Sequence, residues 1–262
     1  SDQKCKIWME NDGLNDTIEW NLTETDPNNE DSDGDLLTDG DENNTYGTDP
    51  NNWDSDGDTL SDYAEIITHS TNPNSDDTDS DGVKDGLEVN DYISDPNDND
   101  TDDDGLEDGV EANDYGTSLT SSDTDSDGVG DYDEINTYET NPINSDTDGD
   151  SLIDGNEIFT HGTNPSNSDT DEDGLSDFRE FSEVCENGGN ASNPDTDGDG
   201  LGDYTEAVHG FDWDGEAYST SPCMFDTDND GLEDGEEVIE GHDFYVTHAN
   251  DSDTDDDGLV DG

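Results

Sequence analysis

An acidic pattern, D-x-D-x-D-x-[LV]-x-D-x-x-E, recurs along this chain in strict register. It begins at Asp31, Asp54, Asp77, Asp100, Asp123, Asp146 and Asp169, each 23 residues after the last. A chain that counts in this way is one unit repeated, and each unit buries its apolar face only against its neighbours. The pattern returns at Asp195, Asp226 and Asp253 after 26, 31 and 27 residues, so the array becomes irregular toward its end. Counting 23 back from Asp31 reaches Trp8, and Asp12, Gly13, Leu14, Asp16 and Glu19 then fill positions 5, 6, 7, 9 and 12 of a decayed first unit. The expected divisions are a degenerate unit over 1–30, regular repeats over 31–187 and irregular repeats with insertions over 188–262.

Composition by itself argues for disorder. The 80 acidic residues face 4 basic ones, a net charge of -76, and Leu, Ile, Val and Phe together make 38 of the 262 residues. That is about 15%, below the roughly 20% under which highly charged chains stay unfolded. The register opposes this, because a disordered tail has no reason to space its acids. Charge also excludes nucleic acid and anionic membranes as partners, since Lys4, Lys6, Lys84 and Arg179 make no basic footprint. No apolar run approaches a membrane span, and Ser1–Glu10 lacks the apolar stretch of a signal peptide, as expected of a mature segment.

Between the acidic blocks, Thr/Ser-Asn/Asp-Pro recurs at positions 18 to 20, as in Thr48-Asp49-Pro50 and Thr163-Asn164-Pro165. Proline stops a preceding helix. Position 13 is often apolar (Ile66, Val89, Ile135, Ile158) and position 16 is Tyr or His (Tyr46, His69, Tyr92, His161), a helical offset. The fold class expected is therefore a solenoid-like array of acidic loops. Each loop leads into a helix of one to two turns over positions 9 to 16 and then a proline-ended turn, with minimal strand and no large hydrophobic core.

The acidic block carries the ligand set of an EF-hand loop, in which oxygens come from positions 1, 3, 5, the carbonyl of 7, position 9 and a bidentate Glu at 12, with Gly at 6. The candidate metal ligands are Asp31, Asp33, Asp35, Asp39 and Glu42 in the first complete repeat, and Asp54, Asp56, Asp58, Asp62 and Glu65 in the second. Asp77, Asp79, Asp81, Asp85 and Glu88 follow, then Asp100, Asp102, Asp104, Asp108 and Glu111, then Asp123, Asp125, Asp127, Asp131 and Glu134. The later sets are Asp146, Asp148, Asp150, Asp154 and Glu157; Asp169, Asp171, Asp173, Asp177 and Glu180; and Asp195, Asp197, Asp199, Asp203 and Glu206. Asp226, Asp228, Asp230, Asp234 and Glu237 come next, and Asp253, Asp255, Asp257 and Asp261 end the series. Six to eight oxygens around one hard cation suit Ca²⁺ better than Mg²⁺. No long amphipathic helix precedes the loops, so paired hands that open a groove are not expected.

Five carboxylates in one short loop repel each other by roughly 1–4 kcal/mol per pair at about 4 Å. Without cations the loops should open, so Ca²⁺, at least one per complete repeat, is expected to replace the missing core. One ion per loop leaves much of the charge uncancelled, and acids at positions 4 or 8 (Asp103, Glu107, Glu172, Glu233, Asp256) are candidates to hold more. Leu or Val at position 7 and the aromatic at 16 are expected to seal neighbouring repeats.

Units such as Asp146-Thr147-Asp148-Gly149-Asp150-Ser151-Leu152-Ile153-Asp154-Gly155-Asn156-Glu157, followed by Thr163-Asn164-Pro165, resemble thrombospondin type 3 repeats in the cysteine-poor form of bacterial and archaeal surface proteins. The resemblance covers about residues 8 to 262. It implies calcium-wrapped repeats, often with more than one ion each, in extracellular stalks, spacers or adhesion segments, and no catalysis. Three loops depart from it: Leu36, Thr59 and Ser151 stand at position 6, with Gly34, Gly57 and Gly149 at position 4 instead. Those loops are expected to turn differently, because a β-branched residue is strained in a left-handed conformation. The decayed first unit and a last unit that stops at Gly262 suggest that the chain continues or that a neighbour completes it.

Cys185 and Cys223 flank the repeat at Asp195, where the spacing breaks, and are expected to pair. Cys5 is then a free thiol or a link to another chain. No C-x-x-C or Cys/His cluster offers a zinc site. N-x-[ST] at Asn15, Asn21, Asn43, Asn99, Asn190 and Asn250 permits glycosylation without requiring it. The insertions concentrate Phe211, Trp213, Tyr218, Phe225, Phe244 and Tyr245, either as a partner patch or as a local apolar plug under longer loops.

The function expected from these readings is an extracellular or cell-surface calcium-binding array, serving as a rigid stalk, a spacer or a filament subunit. It would partner itself end to end or a surface or matrix molecule. An adhesion module presenting the aromatic insertions, and an unstructured polyanion, are the alternatives. A hydrolase is disfavoured, because no concave core raises one carboxyl pKa above another.

Overall fold

The computed structural model describes residues 13–15, 18–185, 188–213, 216–239 and 246–262. Cys5, Trp8, Glu10, Asp12, Asp16, Phe244 and Tyr245 lie outside them. The chain divides into two compact units, Ser1–Thr124 with Gly130–Tyr132, and Asp125–Val129 with Asp133–Gly262.

In the first unit each repeat opens on a loop without regular structure and closes on a short helical segment: Asp39–Asp41 into Glu42–Tyr46, Asp62–Ala64 into Glu65–His69, Asp85–Leu87 into Glu88–Tyr92, and Asp108–Val110 into Glu111–Tyr115. The degenerate unit retains Glu19–Thr23. These segments fill positions 9 to 16, as the apolar offset requires. Their winding was not legible in that offset: the first turn is α, but from position 12 it widens to π. The Glu42 carbonyl accepts from the Gly47 N–H at 2.7 Å and the Glu88 carbonyl from the Ile93 N–H at 2.6 Å, five residues on. Each segment ends on a left-handed residue at position 17, with φ of 76° at Gly47, 63° at Ser70, 64° at Ile93 and 76° at Gly116. This is the helix stop that glycine usually supplies.

In the second unit Asp154–Asn156 with Glu157–His161 repeats the arrangement and its left-handed stop at Gly162, Asp177–Arg179 with Glu180–Val184 and the π turn Thr205–His209 keep the winding without that stop, and Asp234–Val238 is α throughout. Strand is confined, among the described residues, to one hairpin in the first long insertion. There β1 (Phe211–Trp213) pairs antiparallel with β2 (Glu216–Tyr218), in the register Phe211 to Tyr218.

The apolar core is thin and periodic. Position 7 supplies Leu37, Leu60, Val83, Leu106, Leu152, Leu175 and Leu201, all buried. Position 20 supplies buried Pro50, Pro73, Pro96, Pro142 and Pro165, with Leu119, Ala191 and Ala249 in the same role. The ring at position 16 seals the repeats in part: Tyr138 packs edge-on against Phe159 of the next repeat (6.5 Å) and His161 against Phe181 (4.1 Å), whereas others stay at the surface. Tyr92 and Tyr115 are 42% and 41% exposed, while the proline at position 20 is buried in the same repeats or replaced there by buried Leu119. Carboxylates take the remaining interior: Asp39, Glu42, Asp62, Glu65, Asp85, Glu88, Asp108 and Glu111 in the first unit are wholly buried.

Neighbouring repeats are tied at two recurrent points. The backbone N–H at position 10 donates to the Asp carboxylate at position 5 of the preceding repeat, as from Tyr63 to Asp35 (3.0 Å), Gly86 to Asp58 (2.7 Å), Gly155 to Asp127 (2.9 Å) and Phe178 to Asp150 (2.8 Å). Where position 10 is Gly86, Gly109, Gly155 or Gly235, a Cβ would collide with the position 5 carbonyl of the repeat before. The second tie runs from the side chain at position 21 to a carbonyl at 16 or 17 of the previous repeat. The Asn51 amide reaches Thr23 (2.7 Å), Asn74 reaches Tyr46 (3.2 Å), Asn97 reaches His69 (3.1 Å) and Asn250 reaches Ser219 (2.8 Å).

Candidate metal centres

The loops wind around their own carboxylates. In the first complete repeat the Asp31 oxygens accept the N–H groups of Gly34 (2.7 Å) and Leu36 (3.1 Å), Asp33 accepts that of Asp35, and Asp35 accepts that of Leu37 (2.7 Å). Aspartate recurs at alternate positions because its short side chain folds back to a backbone N–H two to five residues ahead. The winding requires positive φ at positions 4 and 6. At position 6, Leu36, Thr59 and Ser151 adopt φ of 94°, 92° and 92°, alongside 104° at Gly82 and 103° at Gly105. These three loops therefore do not turn differently. Five carboxylate-to-amide bonds per loop impose one path, and the side chain tolerates the strain.

This winding gathers Asp31, Asp33 and Asp35 with one oxygen from each within 4.8 Å of the others, and likewise Asp54, Asp56 and Asp58; Asp77, Asp79 and Asp81; and Asp100, Asp102 and Asp104. Position 12 joins them from the start of the π turn, where its side chain is wholly buried. Position 9 stands differently from the EF-hand expectation. Both Asp85 oxygens are taken by Thr78 of the same loop, through its N–H (2.8 Å) and hydroxyl (2.6 Å), and Asp39, Asp62, Asp108, Asp154, Asp177, Asp203 and Asp234 are held likewise. The same carboxylate also faces the preceding repeat, so that Asp81, Glu88 and Asp108 form a second cluster within 4.8 Å. Side chains in neighbouring repeats thus share one centre.

Two classes of oxygen are buried without any hydrogen-bond partner. They are Oδ2 at position 3 (Asp33, Asp56, Asp79, Asp102, Asp148, Asp171, Asp197, Asp228) and Oε2 at position 12 (Glu42, Glu65, Glu88, Glu111, Glu157, Glu206, Glu237). A buried, unpartnered carboxylate oxygen is costly, and one repeated in register calls for a cation or, without one, a proton. Burial, followed by the neighbouring aspartates, pushes the Glu42, Glu65, Glu88 and Glu157 carboxyls up to about 8 and that of Glu180 to about 9. Burial likewise lifts Asp33, Asp56, Asp79, Asp102 and Asp148 to about 6. A divalent ion would reverse this by favouring the charged form.

Two supporting positions escaped the sequence reading. The position 2 hydroxyl of Thr78 donates to Asp85 and accepts the Asn72 N–H at 2.9 Å, and the position 18 hydroxyl of Thr117 donates to Glu111 at 3.0 Å. The second bond occupies Oε1 and leaves Oε2 free to face the cluster. The recurrence of Ser or Thr at both positions was the signal; at position 18 it reads from sequence only as part of the proline turn, and at position 2 it stands among the acids without a role of its own. The acids at positions 4 and 8 are exposed: left-handed backbone turns Asp103, Glu172 and Asp256 outward at position 4, and Glu107 and Glu233 at position 8 are exposed on extended backbone before the helical turn.

The last loop keeps its winding, with Asp253 accepting from Gly258 at 2.8 Å and Thr254 donating its N–H to Asp261 at 3.0 Å, while Asp255 and Asp257 stay exposed. Cys185 and Cys223 are joined, with Cα atoms 6.0 Å apart. Counted in the register they are position 17 of one repeat and position 21 of the next, so the disulfide replaces the amide tie found elsewhere. In the insertions Phe211 and Tyr218 lie 5.6 Å apart and His248 stacks on Tyr218 at 4.0 Å with Trp213 edge-on, whereas Phe225 is 57% exposed.

Carboxylate-wound loops, buried acids aimed inward and ties from each repeat to the next define a tandem array of acidic repeats whose clustered carboxylates could hold metal ions. A family model described as the bacterial TSP3 repeat matches residues 11–30, 31–52, 54–75, 123–145, 169–180, 195–210 and 226–242, about half of the chain, and the chain belongs to that family. The repeats at Asp77, Asp100 and Asp146 fall outside the matched segments but wind in the same way. No curated protein sequence matches the chain. Among solved structures, the BSP domain of a biofilm associated protein is 40% identical over 16% of this chain and 7% of its own, with a TM-score of 0.16. The B domain of a biofilm associated protein is 38% identical over 17% and 11%, with a TM-score of 0.17. The chain spans only a small part of either.

Proposed function

We propose that the protein is a calcium-dependent structural array, which outside the cell serves as a stalk, spacer or filament segment and has no catalytic role. The observation that carries the reading is the register of buried, unpartnered oxygens at positions 3 and 12, beside alternating carboxylates that already bind their own backbone. Hard oxygen ligands in that number suit Ca²⁺. Positions 1, 3, 5 and 12 would hold one ion, and positions 5 and 12 with position 9 of the next repeat would hold another. The second ion would make each repeat depend on its neighbour, which is what a spacer of set length requires. Millimolar extracellular calcium suits sites of this class, whereas cytosolic calcium would leave them unfilled.

The test is a calcium titration of chelator-stripped protein, following far-UV circular dichroism and hydrodynamic radius together. Compaction by calcium up to millimolar, without the same effect from magnesium, is the expected result. A chain that neither ion compacts would be a solvated polyanion, and the reading would fail.

A further inference from the structure

We propose that the groove at Ile93 is a docking site for a cationic polypeptide segment that presents an apolar side chain between lysines or arginines. Ile93 breaks two local rules at once. It is β-branched yet holds the left-handed conformation (φ 64°) that Gly47, Ser70, Gly116, Glu139 and Gly162 hold at the same position, and it is 71% exposed. Neither the helix stop nor the core uses this side chain, so strain is retained there with no return inside the molecule.

The side chain borders an open groove of about 460 Å³, lined also by His69, Val89, Pro96 and Asp95, in the seam between two repeats. Asn97 closes that seam from below by donating to the His69 carbonyl (3.1 Å). The groove is therefore built on a tied, fixed interface. Two repeats earlier the same seam carries a groove of about 620 Å³, with exposed Leu22 beside the carboxylates of Glu24 and Asp49.

Charge selects the occupant. The chain carries -76, and among the described residues its two basic side chains are already paired, Lys84 with Asp76 (2.7 Å) and Arg179 with Glu183 (3.2 Å). An anionic partner or a second copy would be repelled, whereas a cationic segment is drawn in by the acids, with Ile93 and Val89 as the apolar contact. The proposal concerns a surface away from the metal centres, and its readout is the difference between variants at saturating calcium.

The experiment uses the full chain in millimolar calcium and a labelled short peptide with one leucine flanked by two lysines on each side, followed by fluorescence anisotropy. Saturable binding is expected. Ile93→Gly and Ile93→Ser, which restore the residues found at sibling positions, should weaken it at least tenfold while the melting temperature stays level or rises. Equal affinity of wild type and variants, equal affinity for an all-lysine peptide, or no binding at all would overturn the proposal. So would a lower melting temperature in both variants, or wild-type self-association that the variants abolish, which would place a second copy in the groove.

Discussion

At the scale of single residues, this interior is made of acids held in place by hydroxyls. Position 2 and position 18 orient the buried carboxylates at positions 9 and 12. Thr78→Val removes the hydroxyl that donates to Asp85 and accepts from Asn72, at almost constant volume. A cost of about 1–3 kcal/mol is expected, read as a lower melting temperature in calcium and a weaker calcium midpoint. Protonation works on the same groups. For Glu42, Glu65 and Glu88 the carboxyl is raised from an ordinary 4.5 to about 8 in the metal-free fold. Their contribution to folding is then fully present below pH 4.5 and lost as pH rises through 8. Chelator-stripped protein should accordingly become more compact on acidification from pH 8 to 5, while its calcium affinity falls because protons compete for the same oxygens. A metal-free chain that expands over that interval would contradict the assignment of these buried glutamates.

At the scale of the element, each repeat is a wound loop, a widening helical turn and a return. Two glycine positions test the winding and the packing separately. Thr59 holds φ 92° where Gly82 and Gly105 hold nearly the same angle, so Thr59→Gly relieves strain. It should raise the melting temperature by an amount corresponding to roughly 0.5–1 kcal/mol, the left-handed cost less the entropy of glycine. Gly86→Ala sets a Cβ against the Asp58 carbonyl of the preceding repeat. A loss of about 1–3 kcal/mol is expected, with cooperativity of unfolding reduced, because the tie from position 10 to position 5 also borders the carboxylate cluster that spans two repeats. The helical extent was legible from positions 13 and 16, but the π winding was not. Widening follows from the need to return position 18 to the glutamate at 12, a contact that periodicity does not encode.

At the scale of the whole chain, stability is distributed over neighbour contacts, with no centre to carry it. The Cys185–Cys223 bond stands where the spacing lengthens and takes over a tie made elsewhere by an asparagine amide. Its sequence separation of 38 residues puts its expected contribution at about 2–4 kcal/mol. Reduction with a phosphine in calcium should therefore lower the melting of the second unit and leave that of the first unchanged, as measured by hydrogen exchange resolved along the sequence. An equal shift in both units would mean that the bond is not local. In the insertion, Phe211 packs on Tyr218, and Tyr218 and Trp213 both pack on His248, so these rings are half-covered locally while Phe225 stays at the surface.

The sequence by itself determined the unit, its length, the helical span over positions 9 to 16, the alternating carboxylates and the place of the cysteine pair, because each is a matter of spacing along one chain. It could not show that position 9 is shared across a repeat boundary. Position 9 lies in its own loop by sequence, and only folding brings Asp108 beside Asp81 and Glu88. Nor could it show that the proline at position 20 is buried as an inner seal while the ring at position 16 is only partly covered, since both are apolar and only the turn of the backbone decides which faces inward. The strained loops at Leu36, Thr59 and Ser151 make the same point. Local preference argued for a different turn, and a set of carboxylate-to-amide bonds closed by tertiary packing outweighed it.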